Sequence, residues 1–377
     1  MTSRPHGGKL VQVSQEKLAG PKGKELSLNV SAETGITIQN IAQGILSPIE
    51  GFMGRNDYQS VLNGMRLEND VPWTIPILLH GPEGFSAGNG DVVDLVSDSG
   101  TTLGVLSFEE SYKIDRKEFA MKVFKTEDQS HPGVANVYSQ SPWAIGGKIL
   151  RAPKAEENPF TSVTLSPIET RFLFKEKGWK DVVAFQTRNA PHIGHEYVQK
   201  TALAFADGIF INPVLGKKKP GDFTDEAIVE SYKTLMRGYY PAGTAVMSVL
   251  NYEMQYAGPR EAILHAIMRK NFGCSHIAIG RDHAGVGKFY GPYEAQEIFE
   301  EFPDLGITPL FFREFFYCNK CQGIANEKIC PHPESNRLTF SGTKLRAMFQ
   351  SGEAPPREFM RPEVADTILS LPQPFVE

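Results

Sequence analysis

The sequence has no apolar run approaching the roughly 18 residues of a bilayer-spanning helix, and no apolar core follows Arg4 near its start. Neither a membrane helix nor a signal peptide is expected, and the chain reads as a soluble cytoplasmic protein with no membrane partner. Cysteine is scarce, four residues in 377. Three of the four fall between Cys318 and Cys330, which is not how a secreted disulfide framework is distributed. A surplus of basic charge is also missing: Lys plus Arg is 39 against 44 for Asp plus Glu, a net charge of −5. No basic field therefore covers the molecule to hold nucleic acid, and any polyanion site has to be local. Gly and Pro, 35 and 26 residues, make up about 16% of the chain, short of the ~25–30% of low-complexity sequence. What remains is an ordered, loop-rich chain with length for two or three domains at roughly 150 residues each.

Residues 26–158 carry short apolar or alternating runs broken by turns, as in 73–79 (WTIPILL), 91–96 (DVVDLV) and 102–108 (TLGVLSF). This is the pattern of β-rich structure with an occasional helix. Residues 151–167, with Pro153, Pro159 and Pro167, read as a linker, and a boundary is expected near residue 165. After it the rhythm alternates: strand at 182–185, helix at 194–207, strand at 208–215, helix at 225–239, strand at 244–250, helix at 260–271 and strand at 276–280. Such alternation predicts an α/β domain with a parallel sheet, helices on both faces, and a ligand at the carboxyl ends of the strands. The last sixty or so residues hold the cysteine cluster and a closing helix at 362–371.

The most informative string is residues 184–196, AFQTRNAPHIGHE. A strand runs into a loop bearing Gln186, Thr187, Arg188 and Asn189, then into a helix starting near His192. His192 and His195 stand one turn apart at a helix N-terminus, where unpaired amides and the dipole favour an anion such as a polyphosphate. Gly194 lets the backbone approach a nucleotide, and Pro191 suits the turn before the helix. The alternative is a pair of histidines that cap or pack. A zinc pair of the HExxH kind is a weaker rival, because no carboxylate sits inside the pair.

A second string, residues 280–287 (GRDHAGVG), follows the apolar strand ending at Ile279. Gly280, Arg281, Asp282, His283 and Ala284 would thus sit at another strand's carboxyl end, with Arg281 and His283 able to donate to an anion. The alternative is a glycine-rich turn with an Arg281–Asp282 salt bridge. Between the two strings, residues 212–223 (NPVLGKKKPGDF) end a strand in a Lys-rich loop, either a cover for phosphates or a solvated turn. Arg260 opens a helix as a structural ion pair or a substrate contact. Residues 341–346 (SGTKLR) start a helix with Ser341 or Thr343 as its cap, or close on a nucleotide.

Cys318, Cys321, Cys330 and His332 have the composition of a tetrahedral structural zinc site, which in a cytosolic chain outranks a disulfide, a redox pair or buried thiols. Only Pro331 separates Cys330 from His332, a tight chelate, so Glu334 is a reserve ligand. Cys274 stands apart as a core thiol.

Taken together, these strings resemble the ATP sulfurylase (sulfate adenylyltransferase) family. The matching segments run in order along nearly the whole chain: 4–11 (RPHGGKLV), 46–53 (LSPIEGFM), 186–196, 257–276 (AGPREAILHAIMRKNFGCSH), 280–287 and 341–346. The resemblance implies an N-terminal PUA-like β-rich domain (1–165), a Rossmann-like nucleotidyltransferase domain (166–313) and a small C-terminal domain (314–377). It implies the reversible reaction of ATP and sulfate to adenylylsulfate and pyrophosphate. Gln186 and Arg188 would hold sulfate, Asn189, His192 and His195 the ATP phosphates, and Arg281 the reacting anions. Thr187, Gly280, Asp282, His283 and Ala284 would complete the substrate site, and residues 212–223 would shape the nucleotide pocket. Mg²⁺ would arrive with ATP, and a homodimer or a larger homo-oligomer is the family's expected assembly.

Three positions depart from the family pattern. Ala190 and Pro191 stand where Pro and then a variable residue are expected, Val286 replaces a Pro, and Asn336 stands near a position where many zinc-bearing relatives have His. No GxxxxGK[ST] string is present, so no fused adenylylsulfate kinase domain is expected. The competing readings are another HxGH nucleotidyltransferase acting on a phosphorylated small molecule, and an RNA-binding module, which the net charge and the lack of an aromatic and basic stripe oppose.

Overall fold

The computed structural model describes residues 2–16, 26–154, 157–340 and 342–377. Ser341, the expected helix cap, and the side chain of Thr343 lie outside the described residues. No helix among those described is long and apolar enough to cross a membrane.

The strands described form three sheets. In the central one Ala245–Met247, Gly208–Leu215, Val182–Thr187, His276–Ile279 and Thr308–Phe311 lie side by side in that order, all parallel. The chain therefore starts in the middle, winds outward through residues 208 and 245, and returns to the other flank of its first strand at residue 276. That reversal leaves a crevice beyond the carboxyl ends of Val182–Thr187 and His276–Ile279, the place where doubly wound sheets bind ligands. Both faces are covered: Val182, Ala184 and Phe210 pack into one core, and Val183, Phe185, Ile209 and Ile211 into another. Burial on both sides explains why these strands read as continuous apolar runs.

The N-terminal sheet is ordered Ser14–Glu16, Trp143–Pro153, Thr102–Lys113, Val92–Val96 and Leu26–Asn29, with Gly51–Phe52 and Leu79–Gly81 also on Trp143–Pro153. It is mixed, and it carries the helices Ala32–Ala42, Arg55–Gly64, Arg116–Phe124 and Pro132–Ser139, more helix than the sequence pattern suggested. Of residues 73–79 only Leu79 is in a strand. Pro76 cannot donate to a ladder, so Trp73 and Ile75 are fully buried in irregular chain. The indole satisfies itself locally, donating from Nε1 to the Ile75 carbonyl at 2.8 Å. A third sheet, Gly323–Asn326, Phe315–Cys318 and Arg337–Thr339, is antiparallel. The final helix, Pro362–Ser370, places Val364, Ala365 and Ile368 in the second central core with Ile228 and Leu235 of the helix Asp225–Tyr239.

The N-terminal region and the central sheet share a core. Ile38, Trp73 and Leu106 belong to the same buried cluster as Ile263, Ile267 and Phe272. The helix Pro259–Asn271, buried along its whole length, lies at that junction. Arg260 settles into a structural role there, donating to the carbonyls of Val61 (3.3 Å), Leu62 (3.0 Å) and Thr74 (3.2 Å). Burial lowers its pKa to about 10. The Arg260→Ala variant should leave those carbonyls without their donors and lose about 3 kcal/mol of stability or more, read as a lower denaturation midpoint.

Candidate functional site

The strand Val182–Thr187 delivers Gln186 and Thr187 to the crevice. Thr187 turns the chain, its Oγ1 donating to the Asn189 carbonyl (3.1 Å) and accepting from the Asn189 amide (3.2 Å). Gln186 keeps a buried Oε1 with no hydrogen-bond partner among the described residues. Arg188 lies between, its Nη1 donating to the Tyr256 hydroxyl at 2.5 Å and its Nη2 to the Lys217 carbonyl at 2.7 Å.

His192 is the N-cap of the helix Ile193–Leu203, its Nδ1 accepting from the His195 amide at 3.3 Å. The Ile193 amide donates to the Phe359 carbonyl at 2.8 Å. Two of the first amides of this helix are thus already used, so an anion here has to rely on side chains more than the bare helix start implies. The two imidazoles stack with centroids 3.8 Å apart, and Phe340 stacks on His192 at 5.4 Å. Gly194 is required by this packing: a Cβ there would stand 2.8 Å from the Phe340 ring and 2.9 Å from the His192 ring. Burial, then the neighbouring His195, keep the His192 pKa well below its usual range, and burial brings His195 down to about 4. Both are neutral at pH 7, hydrogen-bonding groups rather than cations.

The second string arrives at the same level. His276 pairs with Val183 and Ile277 with Ala184, so continuing that register sets Gly280 beside Thr187. Arg281 is half exposed, with Glu314 3.9 Å away. Asp282 does not pair with it: its amide donates to the Pro292 carbonyl at 2.8 Å. Burial raises the Asp282 pKa, against the pull of Arg281. His283 turns toward the core, its Nε2 3.1 Å from His265 Nδ1. His265 Nε2 in turn faces a Glu261 oxygen at 3.5 Å. Glu261 accepts from the Tyr252 hydroxyl and from the Gln255 and Ala257 amides at 2.9–3.1 Å. Burial pushes its carboxyl up, while these donors hold it back. Seven described non-glycine residues have positive φ, and Tyr256, Asp282 and Ala284 are three of them. Backbone strain is thus concentrated where the two strings meet.

The structure therefore brings Gln186, Thr187, Arg188, Asn189, His192, His195, Gly280, Arg281, Asp282 and Ala284 to one sheet edge, with His283 held by its Nε2 from behind. The Lys-rich loop is not a solvated turn throughout. The Lys218 side chain is nearly buried, 3.0 Å from Asp225, and Lys217 supports Arg188. Tyr256 and Phe340 lie against these groups and fall outside every quoted string. Glu261 and His265 lie inside the matching segment 257–276, where their i, i+4 spacing is the local signal. Glu196, next to the histidine pair, is buried and bound by Arg361 at 2.7 and 2.8 Å and by Lys200 at 2.6 Å, which anchors the C-terminal segment to this helix.

Away from the crevice, Cys318, Cys321, Cys330 and His332 converge, all four ligand atoms within 4.8 Å of one another. His332 Nδ1 is 3.5, 3.2 and 3.6 Å from the three sulfurs, and Cys321 Sγ is 3.8 Å from Cys330 Sγ. A tetrahedral ion with ~2.3 Å bonds to sulfur needs S···S edges of about 3.8 Å, so the donor set is compatible with a bound metal. The Cys321 amide points at Cys318 Sγ at 3.4 Å. Glu334 stays outside the cluster, 3.7 Å from Arg337. Cys274 is a buried core thiol.

The model of the family ATP-sulfurylase matches residues 161–371, and that of the PUA-like domain matches residues 3–153. Full-length similarity is found to the sulfate adenylyltransferase of Pyrococcus abyssi, 54% identical with 100% of both chains covered. That of Hyperthermus butylicus is 55% identical, covering 100% of this chain and 98% of the relative. That of Chloroflexus aurantiacus is 43% identical, covering 97% and 96%. Among solved structures, "Hexameric APS kinase from Thiobacillus denitrificans" has the same fold at a TM-score of 0.73 and 22% identity, over 97% of this chain and 67% of that one.

Because His195 is held neutral in the fold but titrates near 6.5 when unfolded, acid favours the unfolded chain, which takes up the proton first. This contribution weakens stability as pH falls from about 6.5 toward about 4 and is constant below that. The His195→Gln variant should show a shallower fall of Tm across this window than the wild type.

Proposed function

The chain belongs to the ATP-sulfurylase family, and from that premise we infer that it is a sulfate adenylyltransferase, converting ATP and sulfate reversibly to adenylylsulfate and pyrophosphate. The observation that carries this reading is the meeting of two donor-rich loops, each led by an arginine, at the switch point of the central sheet.

Sulfate is a dianion at neutral pH and needs no general base. One of its oxygens attacks the α-phosphorus of ATP, the bond from that phosphorus to the bridging oxygen of pyrophosphate breaks, and the electron pair leaves with pyrophosphate. No proton has to move. The task is to hold two mutually repelling anions in line and to stabilise the charge that develops on the leaving group. We assign Arg188 and Gln186 to sulfate, Asn189, His192 and His195 to the ATP phosphates, and Arg281 to the charge between them. Neutral imidazoles suit this role, since they offer N–H groups to phosphate oxygens without requiring a buried cation before substrate arrives. Thr187 and Gly280 set the two loops at one level, and Asp282, Ala284 and His283 shape the second.

Magnesium belongs to the nucleotide as MgATP and supplies charge neutralisation on its phosphates. The protein offers it little: Glu196 is taken by Arg361 and Lys200, leaving Asp282 as the carboxylate of the two loops. The cluster of Cys318, Cys321, Cys330 and His332 fits zinc by softness, number and spacing of its donors. Zinc there would tie the ends of the third sheet together, a structural task.

ATP formation from adenylylsulfate and pyrophosphate with Mg²⁺ tests the activity. The wild type should make ATP, and Arg188→Ala or His195→Ala should reduce turnover by orders of magnitude without unfolding the chain. A folded wild type that binds ATP and makes none from this pair would refute the reaction. The Cys321→Ser variant should lose bound zinc and melt at lower temperature. Unchanged metal content and Tm would refute the zinc assignment.

A further inference from the structure

Arg188 is aimed by a residue outside both loops. The Tyr256 hydroxyl accepts from its Nη1, the Lys217 carbonyl from its Nη2, and the guanidinium lies 5.6 Å from the centroid of the Tyr256 ring. A guanidinium has five N–H donors. These two bonds leave the others for an anion while removing the freedom of the long side chain to swing.

The backbone of Tyr256 is held where a bulky residue is rarely found, at φ 60°, an arrangement that costs about 1–3 kcal/mol. Several neighbours enforce it. The Tyr256 carbonyl lies 3.1 Å from Nε2 of His131, a fully buried residue of the N-terminal region. His131 Nδ1 accepts from the Gly133 and Val134 amides at 3.1 and 3.4 Å, so the ring proton sits on Nε2 and is donated to that carbonyl. The next amide, of Ala257, donates to Glu261 at 2.9 Å, and that of Gly258 donates to the Ala284 carbonyl at 3.1 Å. Gly258 has φ 51°, and a Cβ there would come within 2.7 Å of the Tyr290 ring. The segment is therefore fixed to the N-terminal region, to the buried helix and to the second loop at once. The side chain it presents meets Arg188.

We propose that Tyr256 is a positioning residue for sulfate: its hydroxyl fixes the guanidinium of Arg188 so that the remaining N–H groups face the bound anion. The proposal rests on the assignment of sulfate to Arg188. The strained backbone places the phenol, and the N-terminal region takes part in sulfate binding through His131 without touching sulfate.

Steady-state kinetics with sulfate and ATP varied separately test this, with three variants. Tyr256→Phe keeps the ring and loses the hydroxyl. It should raise KM for sulfate about tenfold, the scale of one hydrogen bond to a charged group, with KM for ATP and Tm unchanged. Tyr256→Gly removes the strain and the phenol together, so sulfate binding should weaken at least as much. Arg188→Lys should raise KM for sulfate further. Impairment by Arg188→Lys with unchanged sulfate KM in Tyr256→Phe would overturn the positioning role alone. An unchanged sulfate KM in Arg188→Lys would overturn the assignment of sulfate to Arg188, and the proposal with it.

Discussion

The helix Pro259–Asn271 has no exposed residue, yet Arg260, Glu261, His265, Arg269, Lys270 and Asn271 all lie in it. Burying such groups costs several kcal/mol each unless they find partners, and satisfying them determines where the surrounding chain can go. Arg260 draws in the end of the helix Arg55–Gly64. The Asn271 amide donates to the Ile45 and Ser47 carbonyls and accepts from the His6 amide. Lys270 donates to the Leu305 carbonyl, and Arg171 reaches the carbonyls of Lys270 and Asn271. At the other end, Glu261 collects the 252–258 segment and His265 meets the second loop. The crevice is shaped by the polar demands of a helix buried behind it.

The charges of the crevice are divided between two kinds of group. Guanidinium groups are permanent cations, and Arg188 lies among acceptors while Arg281 lies near solvent. The histidines give theirs up, because burial between Phe185 and Phe340 leaves no counter-charge to stabilise an imidazolium. His283 gives up its charge as well, for burial and then His265 bring its pKa down to about 3 against the pull of Glu261. Before substrate binds, permanent positive charge is thus confined to positions that water or carbonyls can solvate, while the apolar wall supplies uncharged hydrogen-bonding groups.

Much of this was legible in the sequence. The segments 208–215 and 225–239 coincide with elements of the fold, because a strand buried on both faces and a strongly one-sided helix leave clear periodicities. The two loops were found because their unusual residues are contiguous. Residues 73–79 misled because burial alone, without strand pairing, produces the same apolar run. The string alone presents His283 as an open anion donor, and its partner His265 is eighteen positions away on another element, a distance no local pattern spans. Tyr256 was invisible for a different reason: its role depends on a backbone angle enforced from three sides. Phe340 likewise gains meaning only where the C-terminal segment crosses the helix of the histidine pair.

The shared core between the N-terminal region and the central sheet bears on how such a chain can change over generations. The seam visible in the sequence, near the prolines of residues 151–167, does not coincide with the seam in energy, which runs along the helix Pro259–Asn271. An exchange of the first 150 or so residues for those of a distant relative would have to bring along carbonyls matching Arg260, a loop matching Asn271 and an imidazole matching the Tyr256 carbonyl. Recombination at the linker is therefore penalised by partners far downstream of it, at Tyr256, Arg260 and Asn271.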